Sequence, residues 1–199
     1  IPYLIQEQNS YPGVTNKLLS KSCRKICVAY ENMSRFFPKD KLLLYGNPVR
    51  QDLVAKKNSK KEALDFFSVS QNTFTVLVIG GSLGARTINI AISNYLRSLS
   101  NDQSTHFIWQ TGTSYYEQAS QQFNGNKNIT VMPFISRMDL AYSVADLVIS
   151  RAGASTISEL CLIGKPVILI PSPNVAEDHQ TKNAMALSDQ DAAFVIKDQ

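Results

Sequence analysis

Apolar positions along this chain fall into short runs rather than one continuous hydrophobic block. IPYLI, KICVAY, KLLLYG, TFTVLVIGG, THFIWQTG, NITVMPF, ADLVIS, KPVILIP and AAFVI are each brief and rich in β-branched or aromatic residues. That is the signature of buried strands. Most of the segments between them are long enough for a helix and carry apolar residues three or four apart, as at Ile88, Ile92, Leu96 and Leu99. Such spacing lines one helical face. Regular alternation of strand and helix predicts an α/β fold, with parallel sheets flanked by helices on both faces. The first run begins at Ile1 with no initiator Met and no preceding turn, so the chain is expected to be a fragment of a longer protein.

The alternation falters once. After KLLLYG comes GNPVRQDLVAKKNSKKEA, where Pro48 disfavours helix before it and a lysine-rich stretch precedes a helix expected from about Lys60. A domain junction is expected near Asn47 to Arg50. It would divide residues 1–48, the end of one α/β domain, from residues 49–199, most of a second.

Composition adds bounds to this picture. With 44% hydrophobic and 18% charged residues in 199, disordered and collagen-like classes are excluded. No apolar run reaches the roughly 18 residues that would span a bilayer, and no signal-peptide pattern is present, so a soluble intracellular protein is expected. Cys23, Cys27 and Cys161 are odd in number, and C-x3-C without a companion pair is neither a disulfide framework nor a usual zinc site. No metal is expected. A formal charge of +4 suits an acidic ligand or an anionic membrane surface, while no basic run is long enough to argue for nucleic acid.

The clearest chemical unit is TFTVLVIGGSLGARTINIAI. A buried strand delivers Gly80 and Gly81 to a tight turn, and a helix starting near Gly84 and Ala85 turns its N–H groups and positive dipole end toward that turn. Ser82 adds a hydroxyl. The arrangement suits a phosphate, although a glycine-rich turn also serves close packing of helix on sheet. It lacks the Lys-Ser/Thr of a P-loop. It is not G-x-G-x-x-G either, and the next strand ends in Gln110 and Thr111 rather than in an acidic ribose ligand, which disfavours a dinucleotide dehydrogenase.

A second unit follows ADLVIS. In RAGASTISEL, Thr156 and Glu159 have the spacing of a helix capping box, which would make them purely structural. Alternatively, Ala152 to Ser155 leave a helix N-terminus open to an anion, and the Glu159 carboxylate behind it accepts the two hydroxyls of a ribose. Two open helix starts in one domain suggest one ligand carrying a diphosphate and a sugar. In PSPNVAEDHQTKNA, Asp178, His179 and Gln180 enter a helix with polar side chains suited to sugar hydroxyls, though a residue like His179 is more often a solvated helix start. His106 is read as structural. Glu7, Gln8 and Asn9 make a polar cluster at the end of the first strand, where α/β sheets place ligands.

In order and spacing, QEQNSYPGVTNKLL, GNPVR, GGSLGAR, RAGASTISEL and DHQTKNA resemble the MurG family, bacterial glycosyltransferases of the GT-B fold that act in peptidoglycan synthesis. The resemblance covers essentially the whole chain. It implies Rossmann-like parallel sheets of GT-B type, with residues 1–48 ending an acceptor-binding domain and residues 49–199 forming a donor-binding domain that is incomplete at its C-terminus. The implied reaction moves N-acetylglucosamine from UDP-GlcNAc to lipid I, giving lipid II, without a cofactor, at the cytoplasmic face of the bacterial inner membrane and in peripheral contact with it.

Position by position, the resemblance implies that Glu159 binds the ribose diol and that the backbone at Ile135 reads the uracil edge. Arg50 would contact the nucleoside, Ser82 a phosphate, and Ala154, Ser155 and Thr156 the diphosphate and sugar. Gln180, with His179 beside it, would bind GlcNAc hydroxyls, and Asn9 would reach the donor sugar from across the cleft. Gln6 stands where many relatives have His. The family's glycine-rich acceptor loop, with its histidine base, lies upstream of Ile1, so no catalytic base is expected in this chain and donor binding alone is. The alternatives are another GT-B enzyme using a UDP-sugar, such as a lipid glycosyltransferase or an epimerase with Glu7 as its carboxylate, or a non-catalytic nucleotide-sugar-binding subunit.

Overall fold

A computed structural model describes residues 1–51, 53, 60–99 and 104–198. Two separate parallel sheets are formed. The first contains β1 (Leu4–Glu7), β2 (Lys25–Val28) and β3 (Leu42–Leu44) in that order, with α1 (Val14–Leu19) between β1 and β2. Ile5, Ile26, Val28, Met33 and Phe37 make its core.

The second sheet contains β4 (Phe74–Ile79), β5 (Thr105–Gln110), β6 (Ile129–Met132), β7 (Leu147–Ser150), β8 (Val167–Leu169) and β9 (Phe194–Val195), all parallel, in the order β6-β5-β4-β7-β8-β9. Each of the nine apolar runs read from the sequence overlaps a strand of one of the two sheets, the first only in part, since β1 continues from IPYLI to Glu7. The helices are α2 (Lys60–Phe67), α3 (Arg86–Ser98), α4 (Thr113–Gln122), α5 (Met138–Val144), α6 (Ala154–Ile163) and α7 (His179–Ser188). The expected start near Lys60 agrees with α2, while the lysine-rich residues 54–59 lie outside the described residues.

Helices cover both faces of the larger sheet. On one side Ile88, Ile92 and Leu96 of α3 and Ala119 of α4 pack on Val78 and Trp109, which is the face that the three-and-four spacing predicted. On the other, Leu64 and Phe67 of α2, Leu140 of α5, Ile157 of α6 and Leu187 of α7 close over Leu77 and Ile108. Sandwiched strands bury successive residues rather than alternate ones, as in β4, where only Phe74 is exposed.

The chain lays β4, β5 and β6 outward and then returns to place β7 on the other side of β4. Connections from β4 and β7 therefore leave in opposite directions. A crevice opens between them at the carboxyl ends of the strands, the place where open α/β sheets bind ligands. It receives GGSLGAR on one side and RAGAST on the other.

The two sheets are joined by polar contacts. Asn183 of α7 is fully buried; its Oδ1 accepts from the Ser10 N–H at 2.9 Å, and its Nδ2 donates to Asn9 Oδ1 at 3.0 Å and to the Ala152 carbonyl at 3.4 Å. Asn47 Nδ2 donates to the Gln8 carbonyl at 2.9 Å and to Ser158 Oγ at 3.1 Å. Among the described residues no helix is long and apolar enough to cross a membrane.

Candidate functional site

The crevice between β4 and β7 deepens into a cleft of about 530 Å³, lined in part by Gly81, Ser82, Arg151, Ser172, Asn174 and Gln180. Its first wall is the turn after β4. Gly80 is required there because a Cβ would lie 2.4 Å from the Ala85 nitrogen, and Gly84, at φ +78°, because a Cβ would meet the Thr111 carbonyl oxygen at 2.0 Å. Those two glycines are thus explained by backbone packing. Gly81, where an added Cβ would meet nothing within 4 Å, and the exposed Ser82 line the cleft together with them. Gln110 holds the turn from behind, its Nε2 donating to the Gly81 carbonyl at 2.8 Å.

Helix α3 begins after Ala85 and α6 after Gly153; neither has a side-chain cap or an acidic residue in its first turn. Both leave N–H groups and the positive dipole end open. The capping-box reading of RAGASTISEL is therefore corrected. Gly153 is the cap residue, so Thr156 sits at the third helical position and cannot cap the helix start. Small residues at 152–154 let the helix begin earlier than the threonine would have begun it.

Glu159 lies about 7.5 Å along the α6 axis from Ala154, at 1.5 Å per residue. Its Oε2 accepts the Tyr142 hydroxyl at 3.1 Å. Burial, and secondly the Glu159 charge, pushes the Tyr142 phenol far above its ordinary range, with Arg50 acting weakly the other way. The phenol stays protonated and donates. Arg50 is exposed and reaches the Ser136 carbonyl oxygen at 3.4 Å, beside Ile135. Arg50, Ile135, Tyr142 and Glu159 therefore gather in one group, none of them among the residues lining the cleft, whereas Ser82 and Gln180 do line it. Ala154, Ser155 and Thr156 make the first turn of α6 and are likewise not among the residues lining the cleft.

Several expected side chains are already engaged. Gln180 Oε1 accepts the Ala152 N–H at 3.2 Å and the Ser172 N–H at 2.9 Å, tying the loops after β7 and β8 together. The Ile135 N–H donates to Gln110 Oε1 at 3.0 Å, so reading a base with that amide requires Gln110 to move. Asn9 Oδ1 is held by Asn183, and its Nδ2 donates to Glu7 Oε1 at 3.2 Å. His179 is not among the residues lining the cleft. Its Nε2 is 3.6 Å from Glu177 Oε2, and its ring lies toward Gly13.

Glu7 is buried, and both its oxygens are occupied. Oε1 accepts from the Asn9 N–H and Nδ2, and Oε2 from the Gly13 N–H at 3.1 Å and Asn16 Nδ2 at 2.9 Å. It organises the loop after β1 and has no oxygen turned to a ligand, which weakens the epimerase alternative. His106 is buried on β5 with Nε2 2.9 Å from Thr130 Oγ1, a structural placement as expected. Sequence reasoning missed Tyr142, Gln110, Asn183 and Arg151. Arg151 stood inside a motif already singled out, but its partners are remote in sequence.

Residues 75–199 match the family described as the glycosyltransferase family 28 C-terminal domain. A UDP-N-acetylglucosamine--N-acetylmuramyl-(pentapeptide) pyrophosphoryl-undecaprenol N-acetylglucosamine transferase of Parabacteroides distasonis is 61% identical over 201 residues, covering 100% of this chain and 54% of its own length. A protein of the same name from Flavobacterium psychrophilum is 56% identical, covering 100% of this chain and 53% of its own. The crystal structure of Acinetobacter baumannii MurG superposes with a TM-score of 0.73 at 33% identity, over 100% of this chain and 54% of that one. The chain thus spans about half the length of the curated relatives it matches.

Proposed function

This chain belongs to the glycosyltransferase family 28 C-terminal domain family, and from that premise we propose that its cleft binds UDP-N-acetylglucosamine as the donor half of a MurG-type transferase. The observation that carries the reading is the pairing of two uncapped helix starts across one switch-point cleft, with the Tyr142-oriented carboxylate of Glu159 beyond the second. The helix starts suit a diphosphate, and the carboxylate suits a ribose diol. Residues 1–48 then belong to the acceptor-binding domain and residues 49–199 to the donor-binding domain.

In this reading Ser82 and the first turns of α3 and α6, including Ala154, Ser155 and Thr156, take the two phosphates. Gln180 offers its Nε2 to the sugar. Arg50 and the backbone at Ile135 flank the uracil, and Asn9 and His179 approach from the inter-sheet side. The reaction is an inverting displacement at the anomeric carbon by a hydroxyl of lipid I, giving lipid II. The base that takes its proton belongs to a part of the protein outside this chain. The helix dipoles stabilise charge that develops on the departing UDP, because they are already oriented before the bond breaks. A net charge of +4 favours peripheral contact with the anionic cytoplasmic face of the inner membrane.

Calorimetric titration with UDP, UDP-GlcNAc and ADP tests the donor reading. The uridine ligands are expected to bind and ADP not, and Glu159→Ala is expected to abolish binding without unfolding the chain. A folded chain that binds none of the three, or takes ADP equally well, contradicts it.

A further inference from the structure

Arg151 stands at the entrance to α6, yet its side chain gathers three other chain segments beneath the cleft. Nη1 donates to the Ile170 carbonyl at 3.0 Å and the Pro171 carbonyl at 3.2 Å, just past β8, and lies 2.6 Å from Asp198 Oδ2. Nη2 donates to Thr87 Oγ1 at 2.9 Å, and the Thr87 hydroxyl donates in turn to Asp198 Oδ2 at 2.8 Å. The Arg151 and Asp198 side chains are 14% and 6% exposed. Thr87 belongs to the first turn of α3. One guanidinium therefore links the start of α3, the start of α6, the exit of β8 and the segment after β9. Arg151, Thr87 and Asp198 all line the same cleft.

A buried ion pair contributes little net stability, because desolvating both charges offsets their attraction. What a planar, multiply bonded guanidinium supplies is geometry. Helix-end attraction for an anion falls off within the first turn. Two phosphates shared between two helix starts therefore demand that the spacing of those starts be held.

We propose that Asp198, acting through Arg151 and Thr87, is a positioning residue that sets the spacing of the α3 and α6 starts for the diphosphate of the ligand. This rests on the donor-site reading above. The nucleoside end, at Glu159 and Ile135, lies outside the linkage and is indifferent to it.

The test titrates the unaltered chain, Thr87→Val, Asp198→Ala and Asp198→Asn with UDP and with uridine, and records a thermal transition for each. Thr87→Val is near-isosteric at an exposed site, so it remains informative even if Asp198→Ala fails to fold. Thr87→Val and Asp198→Ala are expected to weaken UDP about five- to tenfold, the scale of one or two lost hydrogen bonds, and to leave uridine unchanged. Asp198→Asn keeps an accepting oxygen and is expected to restore UDP binding to within about twofold of the unaltered chain. An unchanged UDP-to-uridine affinity ratio in Thr87→Val overturns the proposal, as does a parallel loss of both ligands. Failure of the unaltered chain to bind UDP overturns the donor-site reading itself.

Discussion

Tyr142 on α5 donates its hydroxyl to Glu159 on α6 at 3.1 Å, fixing the direction of a carboxylate that no sequence motif connects to it. A ribose diol presented to that carboxylate would meet an acceptor already oriented.

The first prediction follows from that bond. Tyr142→Phe is expected to weaken UDP binding about three- to tenfold by letting Glu159 reorient, in line with loss of one hydrogen bond to a charged group. Calorimetry with 2′-deoxy-UDP as comparison checks it. The deoxy ligand lacks one of the hydroxyls that Glu159 would accept, so the substitution should affect it less.

Gly84 makes the sharpest stability prediction. At φ +78°, with a Cβ destined to lie 2.0 Å from the Thr111 carbonyl oxygen, Gly84→Ala combines backbone strain with a clash against main chain. A loss of about 3 kcal/mol or more is expected in urea denaturation. A loss below about 1 kcal/mol would mean that the turn relaxes freely.

His106 sets a pH dependence. Burial lowers its pKa below the usual 6.5, so the unfolded chain binds the proton more readily than the folded one. Its contribution to stability is present above pH 6.5 and is lost as pH falls through the folded-state value. Denaturation midpoints measured from pH 7.5 to 5 should decline, and the decline should flatten in His106→Gln.

Tyr30 behaves in the opposite sense. Its hydroxyl is covered and has no hydrogen-bond partner among the described residues, and burial, with Cys161 second, pushes its pKa to about 12 from 10.0. Stability owed to the protonated phenol is present below pH 10 and is lost as pH rises toward 12. Tyr30→Phe removes an unsatisfied polar atom. It should leave stability at pH 7 unchanged or raise it by up to about 1 kcal/mol, and it should soften the alkaline loss. A clear destabilisation at pH 7 would reveal a partner for the hydroxyl.

All nine strand runs, the buried face of α3 and the order of the two glycine-containing helix starts were legible in the sequence, because period and composition report local burial directly. RAGASTISEL was legible as a helix start but ambiguous in detail. Its Thr-x-x-Glu spacing matched a cap that the helix does not use, since small residues at 152–154 start it one turn sooner. Chemistry that depends on one segment, such as an uncapped helix start, could be read from residues 85–87 and 153–156 alone.

Strand order was decided only in three dimensions. Nothing local to residues 147–150 says that β7 returns beside β4 rather than continuing past β6, and that return is what opens the cleft. The pairings across it join partners far apart in the chain: Arg151 with Thr87 and Asp198, Gln110 with Gly81 and Ile135, Asn183 with Ser10. Side-chain periodicity encodes which face of an element is buried; it carries no information on which element will be there to meet it.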